Sequence, residues 1–135
     1  MINLDLKAAE TAQAILESIK PTVEDAKEAE DLITKTLGVV QENGPYAGIL
    51  FLCSKTGNEK DTPSLVRRRL LELAENLGVH NLAASGDSRR ILKSVIEQIC
   101  LDTNVLLLVK QSWEQALIYA RHSAKALKAQ VGAGS

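Results

Sequence analysis

Apolar positions along this chain recur at three- and four-residue intervals and never alternate for long with polar ones. Ala8, Ala12, Ile15, Leu16 and Ile19 share one face of a helix running from about Leu4 to Lys20, which Pro21 ends by denying a backbone donor. From Thr22 to about Gln41, Val23, Ala26, Ile33, Leu37 and Val40 repeat the pattern, while Glu24, Asp25, Glu28, Glu30 and Asp31 cover the outside and suit the positive end of the helix dipole. Asn43-Gly44 closes this second helix and Pro45 opens a third.

The third helix, about Pro45 to Thr56, is apolar almost all round, with Ala47, Ile49, Leu50, Phe51, Leu52 and Cys53, and is expected at the centre of the fold. A polar loop over 56–62 leads to Thr62-Pro63 and a fourth helix that reaches about Leu77 and stops at Gly78. The small residues of 81–88 form a linker, and Asp87 or Ser88 caps a fifth helix from Arg89 to about Leu101. Asp102 or Thr103 starts the sixth, where Leu106, Trp113, Ala120 and Leu127 recur every seven residues with Val109, Leu117 and Ala124 between them. The pattern predicts an all-α, single compact bundle of five to six helices over residues 1–130, with a long C-terminal helix and a disordered tail at 131–135.

Composition narrows this picture. A chain of 135 residues has room for one domain with a substantial core. Cys53 and Cys100 stand apart within apolar helical patterns and read as reduced core residues, not as a disulfide framework. The N-terminus lacks the basic and apolar regions of a secretory signal, and no apolar run approaches the length of a membrane span, so a cytoplasmic protein is expected. The net charge of −1 conceals an asymmetry: residues 1–47 carry four bases against nine acids, and residues 48–135 twelve bases against eight acids. Local patches decide polyanion binding, so the near-neutral total leaves room for a nucleic-acid site.

The inventory fits no familiar catalytic centre, and no enzymatic activity, cofactor or metal is expected. His80 and His122 are the only histidines and neither has a ligand-spaced partner. GNEKDT at 57–62 lacks the glycines of a phosphate cradle and follows a helix where a strand would be needed. What remains is basic. Arg89, Arg90 and Lys93 cluster at a helix start; Arg67, Arg68 and Arg69 fan out around theirs, with Glu72 placed to pair with one of them. Lys110, Arg121, Lys125 and Lys128 fall on one ridge of the last helix beside the Trp113 stripe, where their stems can also cover core edges. With so few aromatic residues, any RNA contact is expected to reach the backbone without reading sequence.

Four segments, taken in order, carry a family resemblance: Asp5-Leu6-Lys7-Ala8-Ala9, Glu42-Asn43-Gly44-Pro45, Phe51-Leu52-Cys53-Ser54-Lys55, and Glu114-Gln115-Ala116-Leu117-Ile118-Tyr119-Ala120-Arg121. Together they resemble the small helical subunit of the type III-B CRISPR effector complex, the Cmr family, across most of the chain; the related type III-A small subunits share the same general pattern. Leu6 and Ala8 depart from the Gln and basic residue usual in the first helix. The resemblance implies a non-catalytic subunit that stacks on copies of itself, contacts guide RNA and target RNA, and assembles with other type III effector subunits away from any membrane. The RNA-facing residues it suggests here are Lys55, Arg67, Arg68, Arg89, Arg90, Lys93, Lys110, Arg121 and Lys125, with Arg89, Arg90 and Lys93 foremost. The alternative is a helical protein–protein adaptor whose basic residues only solvate its surface.

Overall fold

Nearly every helix starts on a short side chain that supplies the acceptor the first turn lacks. In the computed structural model, which describes residues 3–57, 61–83 and 86–134, Asn3 accepts from the Leu6 amide at 3.0 Å and begins α1 (Leu4–Glu17). Thr22 accepts from the Asp25 amide at 3.1 Å and begins α2 (Val23–Asn43). The next helix, α3 (Pro45–Lys55), has no side-chain cap, but Pro45 stands at its start and has no amide hydrogen to satisfy. Asp61 accepts from the Ser64 amide at 3.0 Å to begin α4 (Thr62–Asn76). Asp87 accepts from the Arg89 amide at 3.1 Å for α5 (Ser88–Val95), and Asp102 from the Asn104 amide at 2.9 Å for α6 (Thr103–Gly134). Each such cap contributes about 1 kcal/mol.

The long helix α6 organises the bundle. It lies along α2 and α1, with Val109, Trp113, Ala116, Leu117, Ala120 and Ala124 buried on the side that faces them. Ala8, Ala12 and Ile15 of α1 and Ile33, Leu37 and Val40 of α2 belong to the same core. The heptad stripe of the sequence is therefore the seam of the fold, although Leu106 and Leu127 at its ends are only half-buried. Next to this layer, α3 packs on α2 and α4, α4 on α1, and α5 on α3. Among the described residues α5 makes no contact with α6.

Four expectations change. The third helix buries one face only: Gly48, Ile49 and Leu52 are enclosed, whereas Leu50 is 46% exposed and Phe51 and Cys53 are half-buried. Its central place holds all the same, because it packs against α2, α4, α5 and α6. The fifth helix does not run unbroken to Leu101. At Ile96–Cys100 the chain widens into a π-helical turn, which adds a residue to the repeat and shifts the phase of all that follows. Ile99 remains buried, while Ile96 and Leu101 turn outward, Leu101 to 77% exposure. Both cysteines are free and half-buried, not core residues. Residues 131–134, expected to be disordered, continue α6, since the helix needs only its own backbone hydrogen bonds there; Ser135 lies outside the described residues.

The α2–α3 hairpin shows why a small residue is needed at one point. Gly44 joins the two helices with φ of 91°, a left-handed value that favours glycine. One turn later Gly48 crosses α2 so closely that an added Cβ would stand 2.5 Å from Val40 Cγ2. Gly48→Ala is expected to destabilise the protein by about 1–3 kcal/mol through overpacking. Gly38→Ala, with nothing within 4 Å of the new methyl group, is expected to stabilise α2 by up to about 1 kcal/mol. Urea denaturation midpoints of the two variants check both signs.

Candidate nucleic-acid interface

Asp87 aims the first turn of α5 outward, and with it the strongest group of cations. Arg89 has a side chain 95% exposed, and its ion pair to Asp87 is long at 3.9 Å. Lys93 is 76% exposed and stands 3.8 Å from Glu97. Contacts of this length between solvated groups contribute little, so neither cation is committed to its partner. Arg90 and Lys93 line a cleft of about 380 Å³ between α5 and the segment after α4, together with Asn81, Ser94 and Glu97. Ser94 holds the two walls together: its hydroxyl accepts from the Ala83 amide at 3.1 Å and donates to the Ile91 carbonyl at 2.7 Å.

Asn81 is the residue that sequence reasoning missed. Its φ of 62° makes it the one non-glycine residue with a left-handed backbone among those described, and it lines the cleft together with Arg90 and Lys93. An asparagine in a polar linker gives no signal of this by itself, because the φ value depends on how the chain returns from Gly78 to α5.

The other sequence-derived cations are scattered. Arg67 is 1% exposed and cannot meet an external strand. Its guanidinium donates to Ser64 Oγ at 3.3 Å and Thr56 Oγ1 at 3.4 Å and approaches Cys53 Sγ at 3.9 Å, tying α4 to the end of α3. The expectation that Arg67 faces RNA is therefore corrected: of three consecutive arginines on a helix one must point inward, and here hydroxyl groups are waiting for it. Arg68 is half-buried, and Arg69 pairs with Glu72 at 3.1 Å. Lys55 ends α3 exposed, with its ammonium 5.7 Å above the Phe51 ring.

The ridge on α6 is present but mostly neutralised. Lys110 pairs with Glu114 one turn on, and Lys128 pairs with Glu30 of α2 at 2.8 Å. Arg121 is half-buried and its Nε has no hydrogen-bond partner among the described residues, which leaves Lys125 as the exposed cation of the predicted set on this helix. The acidic face of α2 thus packs beside the basic edge of α6 and answers it. The structure brings Arg89, Arg90 and Lys93 together, and leaves Lys55 and the α6 ridge on other helices.

Elsewhere the chemistry is sparse. Among the described residues no group of three or more His, Cys, Asp or Glu side chains is arranged to hold a metal ion, and no helix is long and apolar enough to cross a membrane. Burial pushes the Cys100 thiol above its ordinary pKa, which disfavours the reactive thiolate. The Tyr119 phenol is also raised, chiefly because its hydroxyl donates to Asp5 and that bond requires the proton.

No family model, curated protein or solved structure matches the chain.

The buried state of Arg67 has a measurable consequence. Arg67→Ala is expected to lower stability by about 2–4 kcal/mol, since it opens a cavity and removes the donors that two hydroxyl groups accept from. Lys125→Ala, at an exposed site, is expected to change stability by less than about 0.5 kcal/mol. Thermal or denaturant unfolding of both variants separates the two roles.

Proposed function

We propose that this chain is a non-catalytic structural subunit of a CRISPR RNA-guided RNA-targeting ribonucleoprotein, the small helical subunit of the type III-B complex. In this reading copies of the bundle stack on one another and contribute backbone contacts to guide RNA and target RNA, while cleavage belongs to other subunits. The single observation that carries the RNA contact is the exposed cation group Arg89, Arg90 and Lys93 beside a polar cleft. Its ion pairs are long, so phosphate groups can displace the carboxylates at little expense. The all-helical architecture with its 32-residue last helix, and the four resembling segments, agree with this reading.

An adaptor without RNA is the second reading, and one observation favours it. Leu101 and Leu107, 77% and 57% exposed, stand just before and within the first turns of α6, where Tyr46, Cys100, Leu106 and Leu107 line a mostly apolar groove. Such a surface suits another protein better than a nucleic acid.

Purification of a tagged copy from its native host discriminates the two. Guide RNAs of uniform length with a repeat-derived end, in a multi-subunit particle, are expected; a protein partner without RNA would move the adaptor reading to the front. In the particle, combined Arg89→Glu, Arg90→Glu and Lys93→Glu substitution is expected to weaken target-RNA binding about tenfold or more. It should also flatten the salt dependence by a slope of about 2, as for three lost single-strand phosphate contacts. Unchanged affinity would remove these residues from the interface.

A further inference from the structure

Leu101 and Leu107 are the most exposed large apolar side chains among the described residues. Leu107 lines the groove of about 340 Å³ between the α2–α3 corner and the start of α6, and Leu101 directly follows another lining residue, Cys100. Tyr46 and Leu106 complete the apolar wall, and the exposed Leu50 stands one helical turn after Tyr46 on α3. The π-helical turn that ends in Cys100 also turns Ile96 outward. Glu42 and Lys110 are the charged residues of the lining.

Charge in this corner is one-sided. Lys110 is paired with Glu114, and the positive start of α6 is met by Asp102, whose carboxylate accepts the Asn104 and Val105 amides at 2.9 and 3.3 Å. Glu42 has no such answer. It is exposed, it forms no ion pair among the described residues, and it stands at the negative end of α2, whose last turn holds no base. An apolar surface here adjoins a carboxylate free to take a cation from outside.

We infer that this groove docks an amphipathic helix of a partner protein, whose apolar side chains lie against Tyr46, Cys100, Leu106 and Leu107 and whose edge carries a lysine or arginine opposite Glu42. A helix follows from the chemistry of the wall. Leucine, cysteine and tyrosine side chains offer a backbone few donors or acceptors, so the occupant must satisfy its own N–H and C=O groups, and helices anchored at i, i+3, i+4 and i+7 do so. A second copy of the chain fits less well. Groove set against groove would leave both concave surfaces unfilled, and the exposed Val23 of α2 is followed by Glu24 and Asp25, which Glu42 would repel. Leu6 is the one exposed large apolar side chain of α1 among the described residues, a single anchor where a docking helix needs several. The inference rests on the groove that favours the adaptor reading and names its kind of partner; the same contact would serve a neighbouring subunit in an RNA-bound particle.

The test is an NMR titration of the full chain, labelled in its leucine methyl groups and tyrosine rings, with the peptide Ac-Ala-Lys-Leu-Ala-Lys-Leu-Leu-Ala-Lys-Leu-Ala-Lys-Ala-NH₂. Two controls accompany it: a peptide of the same composition with its leucines spread around the helix, and one with Glu in place of every Lys. The first peptide is expected to shift the Leu106 and Leu107 methyl groups and the Tyr46 ring saturably. It should bind about fivefold more tightly than the glutamate peptide, the upper end of what one exposed ion pair supplies. Leu107→Gln, at an exposed position, is expected to weaken binding about tenfold, as the loss of one buried leucine contact would. Glu42→Gln is expected to narrow the preference for lysine over glutamate. Equal binding of the scrambled peptide, unchanged affinity in Leu107→Gln, no preference for lysine, shifts centred outside the groove or no saturable shift would each overturn the proposal. So would self-association of the chain through the same methyl groups that excludes the peptide, since the occupant would then be a second copy. Purification from the native host decides between the two functional readings without reference to this groove, so a failure here stays distinct from a failure of either.

Discussion

The burial of Trp113 against α1 and α2 is the constraint on which the rest of the bundle depends. Among the described residues it is the largest fully enclosed side chain, and it stands about a third of the way along the 32-residue helix that lies against both neighbours. Around it the helices meet through small residues: Ala8 and Ala12 from α1, Ala116, Ala120 and Ala124 from α6. Small side chains on either side of one bulky ring let helix axes approach while the ring fills the central space. Among the described residues its indole N–H finds no partner, so what holds the ring in place is the enclosed apolar surface.

Once that seam is set, the outer helices occupy what remains. The α2–α3 hairpin folds back over Gly44 and closes on Val40 through Gly48, and α4 is then held between α1 and α3. Arg67 fastens the second of these contacts from inside, by way of Thr56 and Ser64. The outermost helix, α5, rests on α3 and reaches α6 only through the π-helical turn. This peripheral position leaves its cations in solvent, whereas the cations of α6, next to acidic α2, are drawn into pairs.

Much of this was legible in the chain because it follows from local rules. Helix periodicity, the proline and glycine boundaries and the side-chain caps depend on a few consecutive residues, and the stripe through Trp113 announced the main seam. What escaped the sequence depends on residues far apart. Arg67 shares the helix face of Leu70, Leu71 and Ala74, but a periodicity of apolar residues passes over an arginine there, and its partner Thr56 comes beside Ser64 only in the fold. The pairing of Lys128 with Glu30 joins positions nearly a hundred residues apart. The π-helical turn is invisible to a 3.6-residue periodicity, which reads straight through it and runs the fifth helix unbroken to about Leu101. The Asp5–Tyr119 bond likewise needs both ends of the chain before it exists.

The intramolecular pairing on α6 also shapes how the molecule looks from a distance. At physiological ionic strength fields fade over about 8 Å, and a lysine matched by a glutamate within contact presents to an approaching polyanion little more than a dipole. Lys110 and Lys128 therefore add little to the field outside the bundle, and Arg89, Arg90 and Lys93 form the one exposed group of the predicted cations, with Lys55 and Lys125 standing singly on other helices. Under the proposed RNA reading, a diffusing strand would be drawn to the α5 tip more than to α6, where opposite charges cancel.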